Sequence, residues 1–420
     1  MTASRPTLGL RENLAQFSLL VAVNALVGAM VGLERSTLPL VGSEDFGLAS
    51  SAAVLSFIVA FGVAKAFTNL GAGALAQRLG RRRLLIAGWV IALPVPLLIA
   101  IAPSWGWIVA ANVLLGINQG LTWSMTVVMK IDLVGPRRRG LALGLNESAG
   151  YGGVALAAGL SGWLAAEFAA RDVLVVAGAV IALVGILASV FFVRDTAGHV
   201  ALEQRAHAMD EQAPALRAAF VDATYGEPAL RSCSQAGLVN NLNDALAWGL
   251  VPLYLAAHGA GVASIGLVAA LYPAVWSVAQ IATGHWSDSV GRKPLIAAGM
   301  LIQSAALALL ALSGGGVTLA AAAAVGLGLG TALVYPTLIA AISDFVSPIA
   351  RAPVVGVYRF WRDSGYVFGA VIAGTAADAL GYGGATGIVA GLTAASGLWV
   401  LRDMPADRAR AAGVPAARAA

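Results

Sequence analysis

Stretches of about 20 apolar residues, the length that carries a helix across the hydrocarbon core of a bilayer, recur from Phe17 to the neighbourhood of Leu401. Within lipid every backbone N–H and C=O must find its partner inside the segment, so runs of this kind are read as helices. Delimited by Gly, Pro and charge, they give twelve expected spans, near residues 17–40, 48–72, 84–102, 106–132, 141–165, 173–193, 232–256, 263–283, 295–312, 317–342, 354–378 and 384–401. Composition supports this reading: 59% of the residues are hydrophobic and 11% charged, against roughly 25% charged in a soluble globular chain. The first run is longer than the apolar core of a signal peptide and no small-residue cleavage site follows it, so it is expected to remain as a span.

The net charge of +5 and pI near 9.6 raise the question of nucleic acid, and the positions of the basic residues answer it. Arg81, Arg82, Arg83, Arg137, Arg138, Arg139, Arg194, Arg205, Arg217, Arg292, Lys293, Arg351, Arg402 and Arg408 all fall on one side of the span layout, and the opposite hairpins hold only Arg171. Basic residues are retained on the cytoplasmic side during insertion, so the basic pI reflects topology and no nucleic-acid partner is expected. Both termini are expected in the cytoplasm of a cell with a bacterial-type inner membrane. The single cysteine, Cys233, cannot form an internal disulfide and reads as a small packing residue.

Residues 194–228 form the one long polar connection, with nine acidic or basic residues. The expected organisation is therefore an N-terminal six-helix bundle over 1–193, a cytoplasmic linker over 194–228, a C-terminal six-helix bundle over 229–403 and a disordered cytoplasmic tail over 404–420. The halves echo each other. GALAQRLGRRR at 73–83 and GHWSDSVGRKP at 284–294 share glycines at the first and eighth places with basic residues after the second. Thr37-Leu38-Pro39-Leu40 matches Leu250-Val251-Pro252-Leu253, Gly116 and Gly120 match Gly326 and Gly330, and Gly150-Tyr151 matches Gly365-Tyr366. Such matches at a nearly constant offset imply an internal duplication.

With twelve spans, a central loop, both loop motifs and Tyr335-Pro336-Thr337 in the tenth span, essentially the whole chain resembles the major facilitator superfamily, itself an established example of repeated halves around a midplane site. The resemblance implies an all-α membrane fold of two pseudo-symmetric six-helix bundles, acting as a secondary transporter by alternating access. Within the family the chain is most similar to bacterial drug and metabolite exporters, because Glu34 and Arg35 precede Leu38-Pro39 in the first span. It departs from them where Asn112 stands before Gln119-Gly120 and where Gly150 is followed by Tyr151 instead of proline. The loop residues Gly73, Gln77, Arg78, Gly80 and Arg81, with Gly284, Asp288, Gly291 and Arg292, become cytoplasmic gating elements by the same resemblance. Gly284 and Gly291 are expected to permit tight turns, and Asp288, which has only Gln77 as its counterpart, to make the second latch the stronger.

A charge at the centre of a span costs several kcal/mol, so embedded ionisable groups are functional candidates by default. These are Glu34, Arg35, Lys65, Glu147, Asp244, Arg359, Arg362 and Asp363, while Lys130 and Asp132 are expected to reach water and to be structural. Asp244 shares a helix face with Asn240 and Asn243 by spacing, which favours lining of a central cavity over helix-to-helix hydrogen bonding. Gln119 and Trp123 lie on one stripe of the fourth span, and Arg362 and Tyr366 on one of the eleventh. Glu147 and Tyr151 do the same in the fifth. Arg362 occupies the repeat position of Glu147, so the two are expected to meet across the bundles, either as a coupling carboxylate with its counter-ion or as a permanent ion pair. Glu34 and Arg35 are adjacent and diverge by about 100°. Glu34, Glu147 and Asp244 are the proton-coupling candidates, and Arg35 is the candidate anchor for an anionic group. Tyr272, Trp276 and Gln280 sit at four-residue intervals, with packing the plainer explanation, and Tyr335 completes the cavity candidates.

Gly326, Gly328 and Gly330 alternate as in a nucleotide loop but lie inside a span, and His199, His207, His258 and His285 have no metal-ligand spacing. No cofactor, metal or enzymatic activity is expected. The partners expected are a small-molecule substrate, a proton or other coupling ion and the lipid bilayer, with the protein a monomer. The leading expectation is proton-coupled export of a small, partly hydrophobic molecule. The alternatives are proton-coupled uptake of a polar metabolite or anion and, from another class, a receptor or assembly partner that moves nothing.

Overall fold

The structure is a computed structural model that describes residues 7–135, 139–206, 215–346 and 350–405. Among these residues every regular element is helical. The N-terminal half comprises α1 (Leu14–Glu44), the short α2 (Ser51–Val54) leading into α3 (Ser56–Leu79), α4 (Arg81–Ala92) continued by α5 (Pro94–Ile101), α6 (Trp105–Val134), α7 (Arg139–Leu164) and α8 (Ala170–Phe191). The linker carries α9 (Ala197–Ala206), α10 (Leu216–Val221) and a π-turn over Asp222–Gly226. The C-terminal half follows with α11 (Pro228–Ala257), α12 (Val262–Val290), α13 (Arg292–Ala311), α14 (Val317–Phe345) and α15 (Arg351–Asp403). The third pass breaks at Leu93, where Pro94 and Pro96 supply no N–H to the ladder. The last two passes are joined at Gly381, whose φ of 74° and ψ of 171° reverse the chain in a conformation that a side chain would strain. Two six-pass bundles result.

Among the described residues eight helical stretches are long and apolar enough to cross a membrane by length and composition alone. The helices α6, α7 and α11 are of similar length but diluted by buried Asn, Gln, Asp and Glu. They fall short because they carry the polar interior. Outward, the bundles present large apolar side chains such as Phe67, Leu156, Val278 and Phe191, a surface suited to lipid. Trp107 and Trp163 at one end and Trp286 and Trp399 at the other form exposed interfacial aromatics.

Between helices in lipid there is little hydrophobic force, so close backbone approach matters. α1 and α7 achieve it through glycine: a Cβ on Gly28 would lie 1.9 Å from the Gly150 carbonyl oxygen, and one on Gly153 2.1 Å from that of Ala25. The bundles meet along two seams, α3 with α15 and α7 with α12. Both are closed at the end farthest from the linker. There Asp378 of α15 accepts hydrogen bonds from the Ser50 hydroxyl (2.6 Å) and the Ser51 amide (2.6 Å), and Gly162 packs on Gly266.

At the linker end the repeated loop is shorter than the sequence suggests. Gly73 and Gly284 both lie inside helices, α12 runs on to Val290, and the turns are made by Gly80 (φ 87°) and Gly291 (φ 100°) alone. The basic residue that opens the pass after each turn pairs with an acid at the end of the following pass. Arg81 Nε donates to Asp132 at 3.1 Å and Arg292 Nε to Asp344 at 2.9 Å. Arg78 is exposed at the end of α3. The side chains of Gln77 and Asp288 lie outside the described residues, as do the linker's residues 207–214 and the tail from 406. The described part of the linker docks on both halves: at its start His199 Nε2 lies 3.2 Å from Asn13 Oδ1, its pKa lowered by burial, whereas α10 and the π-turn pack on the C-terminal half, where Trp361 Nε1 donates to Thr224 at 2.9 Å.

Gly28→Leu is expected to cost folded yield, since overpacking of this kind runs to about 1–3 kcal/mol, whereas Gly71→Ala, where a Cβ meets nothing within 4 Å, leaves it unchanged. Monodisperse yield in size-exclusion chromatography checks the pair.

Candidate substrate site

At the centre of the molecule a two-pronged ion pair ties the two bundles. Arg35 of α1 donates from Nη1 to Asp244 Oδ1 at 2.7 Å and from Nη2 to Oδ2 at 2.9 Å, the two-pronged match that guanidinium and carboxylate planes allow. Tyr366 of α15 donates to Asp244 Oδ2 at 2.6 Å, and the Arg35 guanidinium lies 5.3 Å from the centre of the Trp248 ring. Both charged residues are buried. Pro39 and Pro252 lie inside α1 and α11 on the side of the pair away from the linker, at matching places of the repeat.

Toward the linker a second cluster crosses the α3/α15 seam. Asp363 accepts from Asn69 Nδ2 at 2.5 Å and lies 3.6 Å from Lys65 Nζ and 3.3 Å from Arg362 Nη1. Ser124 donates to Asn69 Oδ1 at 2.8 Å and receives Arg359 Nη1 at 3.4 Å, which brings α6 into the network. The Lys65 ammonium sits between 5.3 and 5.6 Å from the ring centres of Tyr366, Phe61 and Trp123, a cationic contact that offsets part of its desolvation.

The α7/α12 seam is aromatic. Tyr151 of α7 stacks on Trp276 of α12 with centroids 3.4 Å apart and planes inclined by 30°. Trp123 lies 5.3 Å from Tyr151, Tyr335 5.5 Å from Trp276 and Tyr272 5.9 Å from Trp276. Arg362 joins this group to the ionic one: Nη2 donates to the Tyr151 hydroxyl at 2.8 Å, and its guanidinium lies 4.3 Å from the Tyr335 ring centre. The interior is nearly closed, with a cavity of about 20 Å³ left beside Arg35 and Tyr272. A groove of about 620 Å³ at the linker end, lined by Gln16, Arg82 and Phe192 among others, opens on the surface away from both seams. Its Arg82 is already engaged, Nη2 donating to the Val190 carbonyl and the backbone N–H to Asp195. The central cluster is therefore the candidate site.

Of the residues singled out from sequence, Arg35, Asp244, Trp123, Glu147, Tyr151, Tyr272, Trp276, Tyr335, Arg362 and Tyr366 come together here. Others do not. Asn243 Nδ2 donates to Gln303 Oε1 at 2.9 Å, Gln303 Nε2 donates to Asn240 Oδ1 at 3.0 Å, and Thr393 donates to Asn243. These asparagines join α11, α13 and α15 inside one bundle instead of lining the cavity with Asp244. Gln119 donates to the Val27 carbonyl within the N-terminal half. Glu34 is buried toward Asn112 of α6, with Oε2 free of any protein partner, and takes no part in the Arg35 pair. Arg362 and Glu147 do not pair. Glu147 Oε1 accepts from Trp123 Nε1 at 3.0 Å and from Asn146 at 3.1 Å, and Arg362 takes Asp363 and Tyr151. Lys130 does not reach water: it is fully buried and donates to the Leu20 carbonyl. Among the described residues no cluster of three or more His, Cys, Asp or Glu is placed to hold a metal ion.

Three contributors were outside the sequence-derived site: Asp363, which shares a stripe of the eleventh span with Arg359, Arg362 and Tyr366, Lys65, which lies four residues from Asn69 on a polar path of the second span, and Trp248. Trp248 lies four residues after Asp244, and that spacing was the available signal.

Two helical bundles with apolar outer faces around a closed, charged and aromatic interior define a polytopic membrane-protein fold. The model of the Major Facilitator Superfamily matches residues 14–229 and 234–420, and the chain belongs to that family. A mutant of the nucleoside transporter NupG is similar in structure, with a TM-score of 0.74 at 12% identity, covering 93% of this chain and 100% of that one. Among curated proteins none matches the sequence.

Removing one member of a buried ion pair strands the other and costs about 3–5 kcal/mol, whereas replacing both with apolar groups is often near neutral. Asp244→Asn alone is expected to lower the thermal stability of the purified protein markedly, and Arg35→Met with Asp244→Leu to restore most of it. Differential scanning fluorimetry on the single and double variants checks this.

Proposed function

We propose that the protein is a proton-coupled secondary transporter that works by alternating access and exports a small, partly hydrophobic molecule. The observation that carries this reading is the Arg35–Asp244 pair, a carboxylate held by the opposite bundle in a closed interior. One proton on Asp244 replaces the two-pronged ionic contact with a far weaker one and takes the carboxylate that a hydrogen-bond donor on the substrate would otherwise engage. The same proton loosens the contact between the bundles at their centre. Proton and substrate thus compete for one pair of groups. Exclusive occupancy makes the cycle an exchange, and with protons entering down their gradient the exchanged molecule leaves. Glu147, at the aromatic seam, is the second coupling carboxylate, and Glu34 is the third.

In this reading the linker end, rich in Arg, faces the cytoplasm of a bacterial-type inner membrane, so both termini are inside. The seams are then closed on the outer side. The cycle opens them alternately about the central pair, and a monomer contains every part. Arg81–Asp132 and Arg292–Asp344 act as inner ties, with Gln77 and Asp288 contributing an asymmetric latch.

A second reading, uptake of a polar metabolite together with protons, has the structural likeness to a nucleoside transporter and the embedded arginines in its favour. Proteoliposomes with trapped pyranine distinguish the two once thermal-shift screening has supplied a ligand. Under export by exchange, adding that ligand on the side opposite the proton reservoir drives proton movement against it, and Asp244→Asn keeps ligand-for-ligand exchange while losing the response to an imposed pH gradient. Protons moving with the ligand establish uptake instead. A ligand that binds and never crosses marks a receptor.

A further inference from the structure

The α7/α12 seam holds unused hydrogen-bonding capacity beside a stack of rings. Trp276 Nε1, Arg362 Nε and Glu147 Oε2 are buried and have no hydrogen-bond partner among the described residues; Trp276 is 0% exposed and Arg362 and Glu147 each 4%. Leaving such groups unmade costs about 1–3 kcal/mol apiece, a cost that a folded interior rarely carries at three neighbouring residues without use. All three border one feature, the Tyr151–Trp276 stack. Tyr151 receives Arg362 Nη2, and Glu147 holds Trp123, whose ring lies 5.3 Å from Tyr151. The two stacked rings come from opposite bundles, so they separate whenever the seam opens.

We propose that the Tyr151–Trp276 stack is the closed form of a slot for a planar, uncharged heteroaromatic ring, which enters between the two rings and presents a hydrogen-bond acceptor to Arg362 Nε and a donor to Glu147. This rests on the central site proposed above and names the class of its substrate. Planarity follows from the slot. An inserted ring must replace one face-to-face contact by two, which a flat π-system does and a puckered aliphatic ring does not. The seam has to widen by roughly one ring thickness, about 3.5 Å. Toward the linker Ser277 donates to the Ser148 carbonyl at 2.7 Å and Gln280 to the Ser148 hydroxyl at 3.4 Å, two contacts that break when the ring enters, while Gly162 on Gly266 holds the far end together. Neutrality follows from the charges around the slot. A cation would enter beside Arg362 and Lys65, and an anion would set its charge against the negative π-faces of Tyr151 and Trp276, each at the cost that burying an unpaired charge carries.

Fluorescence and thermal-shift titration of the purified full chain with four probes tests this: quinazolin-4-one, naphthalene, cyclohexanecarboxamide and benzoate. The expected result is saturable quenching of tryptophan emission and stabilisation by quinazolin-4-one, with the other three at least about tenfold weaker, since the stacking and acceptor contributions are each worth on the order of 1 kcal/mol. Trp276→Leu and Tyr151→Leu are each expected to weaken quinazolin-4-one by about tenfold or more. Trp276→Phe, which keeps a smaller ring face, is expected to weaken quinazolin-4-one and naphthalene alike and less than Trp276→Leu does. Equal binding of cyclohexanecarboxamide, tighter binding of benzoate, no binding of quinazolin-4-one, or indifference to both Trp276→Phe and Trp276→Leu in protein that remains monodisperse overturns the proposal. Its failure is separable from failure of the transport reading. Proton-linked movement of a non-planar solute sinks the slot and leaves the transporter, and tight planar-ring binding without movement does the reverse.

Discussion

The Arg35–Asp244 pair joins two helices that the chain places 209 residues apart, and the rest of the interior is arranged around it. Taking either charge out of water alone would cost more than a span can sustain, so each needs the other bundle. Tyr366 and Trp248 complete the arrangement, one by donating to the carboxylate and one by offering a ring face to the guanidinium. The prolines inside α1 and α11, the glycine contacts of α1 with α7 and the two seams set the distance at which this pair can close.

From the pair toward the linker the interior changes character in steps. Asp363 gathers Asn69, Lys65 and Arg362 across one seam, and the rings of Tyr151, Trp276 and Tyr335 fill the other, with Arg362 in both. A change at one seam is therefore felt at the other through one side chain. That continuity offers a direct physical route by which ligand at the aromatic seam reaches the carboxylates.

Much of the fold was legible because hydropathy in a bilayer leaves few choices. The spans, the repeat and the clustering of arginine at one end follow from lengths and charges, and the matched Arg81–Asp132 and Arg292–Asp344 pairs show that the loop repeat carries structure. The site was only partly legible. Asn240 and Asp244 are four residues apart and offset by only about 40° around the helix, yet that arc straddles the boundary between the face toward α13 and the face toward α1. Spacing alone cannot locate such a boundary. The repeat placed Glu147 and Arg362 at matching positions but said nothing of Tyr151 and Asp363, which are better placed to satisfy the guanidinium. Lys130 was misjudged because its nearness to a helix end suggested water, whereas the Leu20 carbonyl is closer.

The central claim is that the Arg35–Asp244 pair sets how the bundles sit against each other. Double electron–electron resonance between spin labels at Leu79→Cys and Val290→Cys, exposed positions on opposite bundles at the linker end, measures this directly in a Cys233→Ser background. Comparison of the otherwise native chain with Arg35→Met/Asp244→Leu reads the pair alone. The account predicts a narrow distribution with the pair intact and a broader one, shifted to longer distance, without it. An unchanged distribution in folded double-variant protein would contradict it.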